Sequence, residues 1–168
     1  MSDLSRFIRD VPDFPKPGII FKDISPLLKD HFSEVINAFV SLFKKEELDA
    51  VDYFAGIDAR GFAFAGGLAR ALNKGMLMVR KKGKLPPPVM SASYNLEYGS
   101  ASVEIAPGKG NVIVIDDVLA TGGTLAATAS LCETAGYTVK GLAVLVNLAF
   151  LNQFEWNGMK AKAIITYE

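Results

Sequence analysis

The sequence predicts an α/β domain with an open, mostly parallel twisted sheet flanked by helices, and three observations carry that prediction. Several short apolar runs rich in β-branched residues lack polar alternation, as expected of strands covered on both faces. Segments of helical spacing follow them in turn, the order that builds strand–helix–strand units. At 168 residues, half of them hydrophobic, the chain can bury one full core and is expected to be one domain, residues 1–168.

In order along the chain, Asp3 to Asp10 suits a short amphipathic helix, and VPDFPKPG then packs three prolines and a glycine into eight residues. Composition alone favours a linker, but Phe14, Ile19, Ile20 and Phe21 follow closely, so a docked N-terminal lobe is expected. Asp23 to Pro26 reads as a turn. Ser33 is a plausible cap for a helix whose inner stripe is Val35, Ile36, Phe39, Val40, Leu42 and Phe43, with Lys44 and Lys45 toward its cation-preferring end. VDYFAGI is a buried strand, DARGF a loop, and FAFAGGLARAL a helix of small residues. MLMV is a third strand, running directly into RKKGKLPPP. The alternation in MSASYNLEYGSASVEI suggests a hairpin turned near Gly99 and lying outside the parallel sheet. NVIVI, VKGLAVLVNL and AKAIITYE supply the remaining strands, with Phe150 to Gly158 irregular.

The chemistry concentrates in NVIVIDDVLATGGT, Asn111 to Thr124. Asp116 and Asp117 end a buried strand, and the carboxyl ends of strands in an open parallel sheet are where ligands bind. Gly122 and Gly123 then lead into a helix from Thr124. The free amides of a helix start favour phosphate, and the Thr121 and Thr124 hydroxyls add donors. Carboxylates only accept, so they suit the vicinal hydroxyls of a ribose. A ribose with a 5′-phosphate satisfies both halves; the bland alternative is a Gly-Gly turn capped by the aspartates. Asp58 and Arg60 reach the same sheet edge, where Arg60 is equally consistent with a surface residue and an anion contact. Arg80, Lys81, Lys82 and Lys84 surround Gly83 without balancing acids; the run fits either a solvated face or a highly charged anion. Glu97, in the hairpin, reads on its own as an exposed, inert glutamate.

Composition excludes other classes. Lysine plus arginine equals aspartate plus glutamate at 18 each, so net charge points to neither nucleic acid nor a membrane surface. The one cysteine, Cys132, fits a reducing compartment, and no stretch has the form of a signal peptide or a membrane span; a cytoplasmic protein is expected. No Lys-Ser or Lys-Thr follows a glycine loop as in a P-loop, the single histidine, His31, supports no zinc site, and there is no serine elbow.

VIVIDDVLATGGT resembles the ribose-phosphate signature of the type I phosphoribosyltransferases, and FPKPGIIFKDISPLL, GIDARGF, RKKGKLP and ASYNLEYG are similar, in the same order, to segments of the adenine-specific branch of that family. The resemblance covers nearly the whole chain. It implies transfer of the phosphoribosyl group from phosphoribosyl pyrophosphate to adenine, giving AMP, through an oxocarbenium-like state with Mg²⁺ as cofactor, in a homodimer. It implies a type I phosphoribosyltransferase fold with residues of about 1–34 as a hood over the base and about 91–105 as a flexible catalytic hairpin. It places Ala120, Thr121, Gly122, Gly123 and Thr124 on the 5′-phosphate and Asp116 and Asp117 on the ribose hydroxyls. Asp58, Ala59 and Arg60 fall on the pyrophosphate with Arg80, Lys81 and Lys84, and Tyr98 joins this set. Phe21 stacks the adenine, the backbone of Ile20 and Lys22 reads its edge, Leu148 closes the other face, and Glu97 is the acid/base residue. Mg²⁺ is held mainly by the substrate. Lys22 stands where an arginine is common in the family, and the segment from Tyr98 to Asp116 is shorter than in familiar members. Three rivals remain: a related enzyme for hypoxanthine, guanine or xanthine; a purine-sensing regulator on the same scaffold; and a receiver-like module, whose acidic pair would follow the first strand.

Overall fold

The computed structural model describes residues 3–96 and 99–168. A 3-10 turn, Leu4–Phe7, precedes a small antiparallel sheet of β1 (Arg9–Pro12) and β2 (Ile20–Asp23). Three helices follow, α1 (Ser25–Asp30), α2 (Phe32–Ser41) and α3 (Lys45–Asp49). The main sheet contains β3 (Tyr53–Ile57), β4 (Gly75–Lys81), β5 (Met90–Leu96), β6 (Gly99–Ile105), β7 (Gly110–Leu119), β8 (Tyr137–Leu148) and β9 (Lys162–Tyr167), with α4 (Arg60–Leu72) after β3 and α5 (Gly123–Thr134) after β7. Its order is β5-β6-β4-β3-β7-β8-β9; the five strands from β4 to β9 are parallel, and β5 and β6 run antiparallel at one edge.

The unbroken apolar run in β7 is explained by two cores, one on each face. Ile113 and Ile115 join Phe39, Phe54, Phe64 and Leu68 beneath α2 and α4. Val112 and Val114 join Ala55, Val79, Leu125, Ala129 and Cys132 beneath α5. Burial pushes the Cys132 thiol up to about 12, so it remains an inert packed group.

Five local expectations are revised. The N-terminal segment forms a 3-10 turn and a strand in place of one helix, because β1 finds a backbone partner in β2. The expected turn at Asp23 to Pro26 opens α1: Asp23 Oδ1 accepts the Ser25 amide at 2.9 Å, and Pro26 fits the first turn, where an amide is not needed. Ser33 lies inside α2, whose cap position is His31; the imidazole stacks on Phe7 and its Nδ1 is 2.9 Å from Glu34 Oε1. Lys44 and Lys45 begin α3 instead of ending α2, since Glu47 Oε2 accepts the Lys44 amide at 2.7 Å. The β5-β6 hairpin is not separate from the main sheet: Arg80 pairs with Glu104 and Lys81 with Val103.

Helix α4 lies unusually close to the sheet because of two glycines. A Cβ on Gly56 of β3 would stand 2.8 Å from both Ala65 Cβ and the Gly61 carbonyl oxygen, and one on Gly61 would stand 2.8 Å from the Ile115 carbonyl oxygen. Both obstacles are backbone or Cβ atoms that cannot rotate away. Gly56→Ala is therefore expected to destabilise the fold by about 1–3 kcal/mol through overpacking. Urea unfolding should show a lower midpoint at an unchanged slope; an unchanged midpoint would mean that α4 can lift without penalty.

Candidate active site

Strand β3 neighbours both β4 and β7, so the chain leaves it in opposite directions and opens a crevice at the carboxyl ends of β3 and β7. The last β3–β7 pair is Gly56 with Ile115, whereas β7 continues along β8 as far as Leu119 and Asn147. Asp116 and Asp117 occupy this overhang. They belong to the strand itself, not to the loop beyond it.

Asp116 Oδ1 accepts the Asp117 amide at 2.8 Å. Burial, reinforced by the neighbouring Asp117 charge, pushes the Asp116 carboxyl well above the usual carboxylate range. Asp117 is 7% exposed and faces Arg60, whose Nε is 2.6 Å from Oδ2 in an ion pair lacking hydrogen-bond alignment. The Arg60 guanidinium also lies 5.4 Å from the centre of the Phe21 ring. Arg60 starts α4, and Gly61 lets that helix end approach Asp116, with room for no more than a tight contact at its Oδ1.

Ala120, Thr121 and Gly122 turn from β7 into α5. Gly122 adopts φ +93°, which favours glycine, and caps the helix. The residues from Asp116 and Val118 to Leu125 enclose a cavity of about 80 Å³ at the helix start. The Thr124 hydroxyl donates to Tyr94 Oη at 3.2 Å, joining the β5-β6 hairpin to this loop.

Asp58, at the end of β3, gathers the basic segment. Its Oδ2 lies 3.4 Å from Arg80 Nε and 3.5 Å from the Lys81 amide, and the Asp58–Ala59 peptide is cis. The Lys81 and Lys84 side chains are exposed. Glu104 was not anticipated as a site residue. It is 3% exposed, and its Oε1 accepts the amides of Lys84 and Leu85, each at 2.9 Å. The amides of Leu85, Gly83 and Lys84 hold its carboxyl below the usual range. It thus fixes the turn of the basic run from the hairpin strand β6. The available signal was a carboxylate between Val103 and Ile105 in a strand otherwise turning apolar.

The residues expected around a base divide across β2. Phe21 packs edge-on against Phe14 and beside Arg60. Ile20 and Lys22 face the other way, lining with Leu148, Phe150, Leu151 and Tyr167 a cavity of about 590 Å³. Lys22 Nζ pairs with Asp10 Oδ1 at 2.7 Å. Phe21 lines a separate cavity of about 260 Å³ with Arg9, Val11, Phe14 and Asp23. Glu97 and Tyr98 lie outside the described residues, between the paired Leu96 and Gly99.

A family model described as a phosphoribosyl transferase domain matches residues 27–150. The adenine phosphoribosyltransferase of Bdellovibrio bacteriovorus is 56% identical over 98% of this chain and 99% of its own length. The crystal structure of adenine phosphoribosyltransferase from Thermoanaerobacter pseudethanolicus superposes with a TM-score of 0.86 at 38% identity, over 98% of each chain. That of the Saccharomyces cerevisiae enzyme, complexed with an imino-altritol bisphosphate and adenine, gives 0.83 at 35% identity, over 95% of this chain and 94% of the other.

The raised Asp116 carboxyl sets a direction for pH. Its folded-state value lies above the unfolded one, so its favourable share of stability is complete below the unfolded pKa, near 4, and is lost as pH rises toward the folded value. Asn at this position keeps an acceptor for the Asp117 amide and carries no charge. Asp116→Asn is expected to match the wild-type protein in Tm near pH 4 and to exceed it increasingly as pH rises. A difference in Tm independent of pH would refute this account of the acidic pair.

Proposed function

The chain belongs to the phosphoribosyl transferase family, and from that premise we propose that it is an adenine phosphoribosyltransferase, moving the 5-phosphoribosyl group of phosphoribosyl pyrophosphate to adenine to give AMP and pyrophosphate in purine salvage. The observation that carries the reading is the continuity of Asp116 and Asp117 with the Ala120–Thr124 turn at the end of one overhanging strand, an order that suits ribose hydroxyls followed by a 5′-phosphate.

In this reading the amides of the 120–124 turn bind the 5′-phosphate, and Asp116 and Asp117 accept from the ribose hydroxyls. Asp58, Ala59 and Arg60, with Arg80, Lys81 and Lys84, face the pyrophosphate. Ile20, Phe21, Lys22 and Leu148 receive adenine beneath a hood formed by about residues 1–34. Phe21 would stack the base, the backbone of Ile20 and Lys22 would read its edge, and Leu148 would close the other face. Mg²⁺ would be held mainly by the oxygen-rich pyrophosphate, hard oxygen ligands being what this cation prefers. When bound, Mg²⁺ neutralises charge on the departing pyrophosphate.

Cleavage of the C1–O bond leaves positive charge on the ribose, and adenine N9 attacks C1. Tyr98 borders the ribose and phosphates. Glu97 accepts the proton that the purine sheds, through N7, and closure of the 91–105 hairpin over the site keeps water from the cation. The Thr124–Tyr94 contact supports that closed position. Met78, 47% exposed on β4, supports burial against a second copy in a homodimer, where the exposed lysines reach the neighbouring site. The buried free thiol of Cys132 suits a reducing, cytoplasmic setting.

Incubation with phosphoribosyl pyrophosphate, Mg²⁺ and each purine base in turn is expected to yield AMP from adenine, with no comparable nucleotide from hypoxanthine or guanine. Equal turnover of those bases would sink the assignment. In the same assay Glu97→Gln should lower kcat by about 100-fold or more while leaving phosphoribosyl pyrophosphate binding intact; unchanged kcat would remove Glu97 from proton transfer.

A further inference from the structure

The rear of the phosphate-binding turn is the side met by the segment after β8, which also borders a polar cavity of about 440 Å³ with Leu119, Asn147, Asn152, Phe154 and Lys160 among its walls. Two side chains from the segment after β8 cross that space to the turn. Asn152 Nδ2 lies 2.8 Å from the Ala120 carbonyl oxygen, 2.9 Å from the Leu148 carbonyl oxygen and 3.1 Å from Asn147 Oδ1, so its two N–H groups serve three acceptors. Its own Oδ1 accepts the Phe154 amide at 3.1 Å. The Phe154 ring then lies against Gly122, where an added Cβ would come within 2.5 Å of Cδ2.

We propose that Asn152 is a positioning residue for 5′-phosphate recognition, holding the Ala120–Thr121 peptide in the orientation that presents its amide to the anion. The step rests on the function proposed above and on peptide geometry. In a trans peptide the C=O and N–H point in opposite directions. Holding the Ala120 oxygen against Asn152 directs the Thr121 amide to the opposite side of the turn, away from the rear cavity. With Asn152 unable to donate, this peptide is free to rotate, and a carbonyl oxygen turned toward the phosphate would repel it. The same side chain grips the Leu148 carbonyl, at the wall of the cavity assigned to the base. One amide group thus sets the spacing between the phosphate end and the base end of the nucleotide.

The test compares binding of AMP with binding of adenosine, which lacks the phosphate, by calorimetry on the full chain. Asn152→Asp preserves size and the acceptor for the Phe154 amide but removes both donors; Asn152→Ala is the companion variant. Each is expected to lower the AMP-to-adenosine affinity ratio by about tenfold, the scale of one charge-assisted hydrogen bond, with Phe154→Leu leaving that ratio within about threefold of wild type. A residue that merely stabilised the fold would weaken both ligands alike or lower Tm alone. A ratio unchanged within twofold in whichever Asn152 variant folds overturns the proposal, as does a wild-type protein that prefers AMP no more than adenosine. Turnover is measured separately: a wild-type protein that prefers AMP but makes none from phosphoribosyl pyrophosphate and adenine fails the functional reading while leaving the Asn152 result interpretable.

Discussion

Two like charges side by side are the constraint around which the crevice is arranged. Asp116 and Asp117 are consecutive near the end of a strand, their charges act on each other, and desolvation of Asp116 together with the burial of Asp117 denies them much of the screening that water would supply. The fold offsets part of that cost locally. The Asp117 amide turns back to Asp116, and Arg60 is delivered to Asp117 by the start of α4. That delivery depends on Gly56 and Gly61, which let α4 settle onto β3 and β7 at distances a side chain would forbid. Close helix packing and the acidic pair are therefore one design. Loosening the first leaves the second without its cation.

The remaining parts of the crevice come from segments remote in sequence, joined by a few polar contacts. Glu104 fixes the turn of the basic run from the hairpin strand, Asp58 draws Arg80 and the Lys81 amide to the end of β3, and Thr124 meets Tyr94 of the same hairpin. Because β6 hydrogen-bonds to β4 while Tyr94 of β5 meets Thr124, the hairpin is tied both to the main sheet and to the turn that opens α5.

The strands were legible because burial on both faces leaves an unmistakable apolar run, as in VIVI, and the turn into α5 because glycine is needed where φ reaches +93° at Gly122. Features settled by a partner were not. Residues 9–12 and 20–23 have little apolar pattern, and only their mutual pairing makes them strands. His31 replaces Ser33 at the start of α2 because a ring from the N-terminal turn, Phe7, holds it there. Glu104 looked like any hairpin carboxylate until the turn of the basic run was brought against it. In each case the deciding contact is nonlocal, and a linear reading contains the residues without their meeting. The division of Phe21 from Ile20 and Lys22 was foreseeable in principle, since successive residues of a strand face opposite ways.

Arg60 connects these points to the proposed chemistry. It pairs with Asp117 through a side chain that is 43% exposed; pairs open to water on one side contribute about 1 kcal/mol or less, so the arrangement is easily exchanged. In the proposed complex, ribose hydroxyls supply the donors that Asp117 needs, and pyrophosphate supplies the anion that Arg60 needs. A ligand carrying both groups leaves neither charge unpaired. A ribose phosphate without pyrophosphate would take Asp117 and strand Arg60, and pyrophosphate alone would take Arg60 and strand a buried carboxylate. In that proposed complex the exchange favours a ligand that brings both halves together, the pairing of Arg60 with Asp117 giving way to two partners supplied by one molecule.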